Sequence, residues 1–412
     1  MTGFVRADGT LACDGASLEQ AAAAHGTPLY VYSRDAITEA YHAYQTAFAP
    51  VPHRVCYSVK ANGSGAILRL LASLGAGADI VSGLELRAAL RAGFPPERIV
   101  FSGVGKTDDE IAAGLEAGIG EFNAESEDEV RRLSVLAAAR GARVALTLRV
   151  NPDIDARSHP YISTGLRDNK FGVDIASAPA LLSRARALPG IEVAGVQCHI
   201  GSQIRALGPL VEAVMALAEL TARLLREGYA LRTVDIGGGL GVNYEEGEGP
   251  EVAAFAAAVV PRLRGLGLTV LLEPGRSLVA RAGALLTRVL YVKENHGKRF
   301  VIVDAGMNDL LRPALYKAHH RIEPVVARGR PSRLVDVVGP VCETADAFAR
   351  DRELEGVEPG DLLAIRDTGA YGFAMASTYN MRPRPAEVMV EDGRARLIWR
   401  RETFEDVVAT EV

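Results

Sequence analysis

RVCYSVKANGSGAILRLLASLGAGADIVSGLELRAALRAGFPPERIVFSG occupies residues 54–103. Three strand-like runs stand in it: RVCYSVK, GADIVS and RIVFSG. Helix-like stretches lie between them and end at Gly75 and Gly93, where a left-handed C-terminal cap favours glycine. Strands that alternate with helices imply parallel neighbours joined by crossovers. The same texture continues to about residue 275, with GEFNAE, RVALTLRV, EVAGVQCH, TVDIGG and TVLLEP bringing the strand candidates to eight. Helical patterning is plain in SEDEVRRLSVLAAARG (126–141) and LVEAVMALAELTARLLREG (210–228). Another helix is expected in SRDAITEAYHAYQTAF, with Ser33 as its N-cap. Eight such units fit a closed α/β barrel, (β/α)8, better than an open sheet.

The texture changes after residue 276. RFVIVDAG, SRLVDVVGP, DLLAIRDTG, AEVMVEDG and ARLIWRRETF read as strands with few helices among them. The expected organisation is a barrel over 26–275 and a β-rich domain over 276–412, joined by residues 1–25. The 412 residues are 48% hydrophobic and 24% charged, and the net charge is −5. No basic run or acidic tail points to nucleic acid or an anionic membrane. No signal peptide is evident, and no stretch of about 18 residues is uninterruptedly apolar. Cys13, Cys56, Cys198 and Cys342 are scattered without metal-binding spacing, so reduced thiols, no metal and a cytoplasmic location are expected.

Barrels of this kind carry their chemistry at the C-terminal ends of the strands. Lys60 closes the first strand, Asp79 and Ser82 the second, His199 and Ser202 the sixth, Gly237 to Gly241 the seventh, and Glu273 and Arg276 the eighth. Singly, these read as a solvated strand end, a structural histidine, a tight turn and an ion pair. Together at one mouth they favour chemistry. Lys60 can condense with an aldehyde. The glycine loop offers backbone N–H groups and room for a phosphate. Aldehyde and phosphate together point to pyridoxal 5′-phosphate. Glu273 would keep its ring nitrogen protonated, and His199 would lie on its face. Asp79 supports His199 or Lys60, or caps a turn.

Two motifs fail. SGVGKT (102–107) lacks the first glycine of a P-loop, since Val100 stands there. GGGLG is not a dinucleotide fingerprint, because Val242 or Tyr244 occupies the last glycine position. His319 and His320 have no partner at metal-binding spacing and read as surface or packing residues. In the second domain, Arg312 and Tyr316 are four residues apart, Cys342 adjoins Glu343, and Tyr371 lies in a glycine-rich loop. Singly, these read as a solvated helix face, a buried thiol and a turn.

YSVKAN, HIGSQI, DIGGGLG, EPGRS, VDAGMNDLLRPALY, GPVCETAD and GAYGFAMASTYNMRPRPAEV closely resemble the diaminopimelate decarboxylases, in the same order, from about residue 28 to 400. That family has an alanine-racemase-like barrel and a C-terminal β domain. The resemblance implies decarboxylation of meso-2,6-diaminopimelate to L-lysine and carbon dioxide, the last step of lysine biosynthesis. It makes Lys60 the cofactor lysine. It places Asp79, His199, Ser202, Gly237, Gly238, Gly239, Glu273, Gly275, Arg276 and Tyr371 around the cofactor. Arg276, Arg312, Tyr316, Glu343 and Tyr371 fall to the substrate. Cys342 resembles the proton donor, supplied with Glu343 by the second subunit of a homodimer. CETAD replaces the commoner Cys-Glu-Ser-Gly-Asp, and Met381 stands where a small residue is usual. Three alternatives stand beside this reading: a decarboxylase of another amino acid, a racemase, and a cofactor-binding protein without catalysis. Racemases of this barrel carry an arginine at the ring nitrogen, which Glu273 argues against. The non-catalytic relatives lack the long β domain.

Overall fold

The computed structural model describes residues 3–156, 164–165, 169–245 and 249–412. They fall into two compact units, one of Tyr41–Asn243 with Glu248–Ser277, the other of Met1–Ala40, Tyr244–Gly247 and Leu278–Val412.

The first unit is a closed ring of parallel strands: β1 (His53–Ser58), β2 (Gly77–Ile80), β3 (Ile99–Phe101), β4 (Glu121–Ala124), β5 (Val144–Asn151), β6 (Ile191–Gln197), β7 (Thr233–Asp235) and β8 (Thr269–Leu272). β8 pairs with β1 through Leu272 and Val55, and that pairing closes the ring. A helix follows every strand, from Gly65–Ser73 after β1 to the short Arg276–Val279 after β8. All eight strand candidates are therefore strands, and the expected (β/α)8 barrel is the observed one.

The helices form where the sequence supplies both a cap and an apolar stripe. Ser82, Thr107 and Ser126 each accept a hydrogen bond from the backbone N–H three residues on. Ser82, just past the end of β2, is thus a helix cap. Helix Leu207–Arg226 buries Leu210, Val214, Leu217, Thr221 and Leu224, spaced three or four apart, on one face. Each buried leucine contributes roughly 1.5–3 kcal/mol. Inside the barrel, Cys56, Val100 and Leu271 pack together. Glu121, at the start of β4, is held there by the hydroxyls of Thr147 (2.5 Å) and Thr233 (3.0 Å).

The second unit is β-rich. Its long strand Gly283–Asn295 pairs with Lys298–Val303 at one end and with Leu29–Ser33 and Leu362–Arg366 at the other. The N-terminal meander Phe4–Ala7, Thr10–Cys13 and Ala16–Ser17 joins this unit, with Leu11 N–H donating to Val325 O at 2.7 Å. Leu11, Leu29, Val31, Leu286 and Val388 share its core.

The boundary expected at residue 26 lies instead at 41, and the one expected at 276 lies at 278. The cause is strand Leu29–Ser33, absent from the sequence reading. It is buried at every position, antiparallel to Gly283–Asn295 and parallel to Ala386–Glu391. A strand covered on both faces shows no alternation of polar and apolar residues. The helix that follows, Arg34–Phe48, starts where expected, with Ala36 N–H donating to Ser33 Oγ at 2.9 Å. Among the described residues no helix is long and apolar enough to cross a membrane, and no cluster of side chains could hold a metal.

Candidate active site

β1 ends at Ser58, and a single 3-10 turn, Val59–Ala61, carries Lys60 past the strand. Asn62 shapes that exit. Its carbonyl accepts from Tyr57 Oη (3.0 Å), and its side-chain oxygen accepts from Ser64 N–H (3.0 Å). Lys60 is partly exposed at the mouth, and its Nζ stands 2.8 Å from Asp79 Oδ2. Asp79 lies opposite Ser58 in the β1–β2 register and accepts from its hydroxyl at 2.7 Å. Burial pushes the Asp79 carboxyl up, but the charge and hydrogen bond of Lys60, with the Ser58 and Ser102 hydroxyls, hold it below its ordinary value. Of the roles open to Asp79, the structure assigns the contact with Lys60.

His199 follows β6. Its Nδ1 accepts from Gly238 N–H at 3.1 Å, which leaves the ring proton on Nε2. Burial, then the nearby charges of Arg149 and Lys60, push its pKa down to about 3, so the ring is neutral. Thr164 Oγ1 (2.7 Å) and Arg149 Nη2 (3.2 Å) both donate to the His199 carbonyl and fix its backbone.

The glycine loop departs from the sequence reading. Gly237 N–H donates to Asp235 Oδ1 (2.8 Å), Gly238 N–H to His199, and Gly241 N–H to Ile204 O (3.0 Å). These donors are used within the chain rather than offered to an anion. Gly239 N–H has no hydrogen-bond partner among the described residues. The glycines are required by packing. A Cβ on Gly238 would lie 2.1 Å from Glu273 O, and one on Gly239, whose φ is +102°, 2.4 Å from Gly201 O. Beside the loop, Ser202 Oγ accepts from Arg276 Nη2 at 3.1 Å. Gly275 brings its turn against β1, where a Cβ would meet those of Ser58 and Ala61 at 3.0 Å.

Glu273 is buried and amply supplied with donors. Its Oε1 accepts from Asn123 Nδ2 (3.2 Å) and Ser102 Oγ (3.3 Å), and its Oε2 from Gln197 Nε2 (3.0 Å). Its carboxyl is raised well above the usual range by burial, then by Asp235 and Asp79. Ser102, Asn123, Gln197 and Asp235 were not picked out from the sequence. The signal was present, since each is a polar side chain near the end of a strand candidate that is otherwise mostly apolar: RIVFSG, GEFNAE, EVAGVQCH and TVDIGG.

The remaining candidates lie in the second unit. Arg312 and Tyr316 begin and end a five-residue helix, as their spacing suggested. The Arg312 guanidinium lies over the Tyr244 ring, 4.6 Å from its centroid. Arg312 Nη1 donates to His320 Nε2 at 2.8 Å, while His320 Nδ1–H donates to Arg366 O at 2.8 Å. His320 is therefore a buried support that aims Arg312, a role its place beside His319 did not reveal. Cys342 is exposed, its N–H donating to Asn380 Oδ1 at 3.0 Å. The carboxylate of Glu343 lies beside Tyr379 and pushes its phenol up. Tyr371, Asn380 and Met381 all adopt a left-handed φ of 56°, a conformation that costs non-glycine residues free energy and recurs in functional loops.

Asp79, Asp235 and Glu273 bring three buried carboxyls to a mouth whose amine is Lys60. That donor set suits a cofactor that is cationic at one end and carries an aldehyde for the amine, which pyridoxal phosphate is. Fold and site define a barrel enzyme of the pyridoxal-dependent decarboxylase class, and residues 34–280 match the model of the pyridoxal-binding domain of those decarboxylases. The chain is 49% identical to a diaminopimelate decarboxylase of Pseudomonas aeruginosa over 100% of this chain and 99% of that one. It is 50% identical to one from Neisseria meningitidis, over 98% of this chain and 99% of the relative. The solved structure of the Helicobacter pylori diaminopimelate decarboxylase complexed with L-lysine superposes with a TM-score of 0.92 at 46% identity, covering 95% of this chain and 98% of that one. The chain belongs to the diaminopimelate decarboxylase family.

Proposed function

We propose that this chain removes carbon dioxide from meso-2,6-diaminopimelate and leaves L-lysine, using pyridoxal phosphate. The observation that carries the reading is Glu273, a buried carboxyl below the mouth that Lys60 enters. Bound pyridoxal phosphate supplies an electron sink for the charge left when the substrate carboxyl departs. Glu273 would hold a proton on the ring nitrogen and so deepen that sink. Lys60 would hold the cofactor covalently between turnovers, and Asp79, 2.8 Å from its Nζ, would keep the amine at the mouth before it condenses. His199, uncharged, offers a ring face that does not compete with the cationic nitrogen. Gly239, Ser202, Gly275 and Arg276 would meet the phosphate end, Gly239 N–H being the donor at hand, while Gly237 and Gly238 would shape the loop around it. Tyr371 would serve cofactor and substrate.

Arg276 and Arg312 suit the distal carboxylate of diaminopimelate by charge-assisted hydrogen bonds, and Glu343 suits its distal amine. Tyr316, one helical turn from Arg312, completes that set. Cys342 would deliver a proton to the substrate carbon from the second copy of a homodimer. Its exposure, and that of Tyr379 and Met381 beside it (46% and 59%), supports burial against another chain. The test is purified protein loaded with pyridoxal phosphate and given meso-diaminopimelate. Carbon dioxide and lysine are expected in equal amounts, and borohydride should fix the cofactor to residue 60. Adduct formation elsewhere, or no gas, would end the proposal.

A further inference from the structure

Behind the mouth, Asp235 and Glu273 are buried, at 0% and 5% exposure, and one oxygen of each lies within reach of the same amide nitrogen. Two carboxyls gathered this closely away from water are stable together when one of them keeps its proton. Asn123 straddles the pair: its Nδ2 lies 3.2 Å from Glu273 Oε1 and 3.5 Å from Asp235 Oδ2. Gly237 N–H fixes the other Asp235 oxygen, and Gln197 the other Glu273 oxygen. No guanidinium or ammonium is among these contacts.

The surrounding charges point the same way. β1 contributes the Lys60 ammonium, which Asp79 of β2 already faces at 2.8 Å. β4 contributes Glu121, a further acid. The thiols of Cys56 and Cys198 are pushed up by burial and by these carboxyls, and so carry protons, while His199 is neutral. Burial raises both Asp235 and Glu273. Two ionised carboxylates so placed would add a second negative charge that nothing beside them balances.

We propose that Asp235 is a positioning residue that shares one buried proton with Glu273, so that the pair presents a single negative charge to the cofactor ring nitrogen. This rests on the reading of Glu273 given above. One protonated ring nitrogen then meets one negative charge, and the buried site is neutral there. Asn123 holds the two carboxyls in register, and Asp235 acts on the ring through Glu273.

The pair can be examined without the cofactor. The cofactor-stripped chain at pH 7 should show, in infrared difference spectra against its variants, the carbonyl stretch of a protonated carboxylic acid that shifts in heavy water. Asp235→Asn and Glu273→Gln should each abolish the same band, because either change leaves one ionised carboxylate among amide and hydroxyl donors. A band that survives in one variant would show a lone buried acid and overturn the proposal, as would no band at all. If Asp235→Asn fails to fold, Asn123→Ala should displace the band in frequency, and an unmoved band would overturn the proposal equally. Borohydride labelling of Lys60 in the loaded protein keeps the two readings apart. A band without labelling sinks the proposed function and leaves the pair, whereas labelling without a band does the reverse.

Discussion

Arg312 is held on three sides, by the Tyr244 ring, by His320 and by the turn that Pro313 opens. A guanidinium fixed this way loses little conformational entropy on meeting a carboxylate. An ornithine or lysine decarboxylase meets only an amine at that end, which an arginine repels. Arg312→Ala should therefore raise KM for diaminopimelate steeply, by about 2 kcal/mol or some 30-fold, as expected for losing a charge-assisted hydrogen bond. Steady-state carbon dioxide release on diaminopimelate, ornithine and lysine checks it. Unchanged diaminopimelate turnover would remove Arg312 from the substrate site. His199 gives a prediction of opposite character. Its folded-state pKa of about 3 lies below the unfolded value, so the unfolded chain binds the proton first as pH falls. Its contribution to stability is whole above pH ~6.5 and declines by about 1.4 kcal/mol per pH unit until roughly pH 3. NMR of the imidazole should show an Nε2–H tautomer that does not titrate between about pH 5 and 8, the range in which an unperturbed histidine changes charge. His199→Gln should flatten the acid limb of the unfolding curve.

The loop after β7 shows what a string of glycines accomplishes when three strand ends crowd together. At Gly238 the obstacle is the Glu273 carbonyl, a backbone atom that cannot swing aside. Gly238→Ala must push the loop after β7 and the Glu273 backbone apart. The expected cost is about 1–3 kcal/mol of overpacking, a fall in melting temperature of several degrees, with weaker pyridoxal phosphate binding besides. Thermal melts with and without cofactor measure both, and a variant as stable and as tightly loaded as the parent would refute the packing argument. The loop also marks the limit of what the sequence revealed. Strands β1 to β8 and their helices were legible because alternation, N-caps and terminal glycines are local signals. The glycines were legible as a loop, but not as packing residues, since the atoms they avoid belong to Cys198, Gly201 and Glu273 on neighbouring strands. The polar residues around Glu273 were visible one at a time, yet only ring closure brings Ser102, Asn123, Gln197 and Asp235 onto one carboxyl. Strand Leu29–Ser33 was missed because it stands outside the repeating strand–helix units and its partners, Gly283–Asn295 and Ala386–Glu391, lie in the last third of the chain, and His320 because its partner Arg366 is 46 residues away.

The proposed site needs residues from two copies, Lys60 from one and Cys342 from the other. Within the second unit, Cys342 is exposed and Glu343 engages Tyr379, so neither is consumed by the core around it. A twofold dimer has two equivalent sites, each drawing on both chains. Lys60→Ala and Cys342→Ala homodimers should then each be nearly inactive, because both sites of each carry the lesion. Equal amounts unfolded and refolded together, or exchanged at low concentration, give hybrids in half of the dimers. One site of each hybrid joins the intact Lys60 of one chain to the intact Cys342 of the other, so the mixture should regain about a quarter of parent activity. Sites built within single chains predict no recovery, because every chain carries one lesion. Sedimentation separates the remaining case: dimers that form and exchange without regaining activity would show that Cys342 serves its own chain's Lys60.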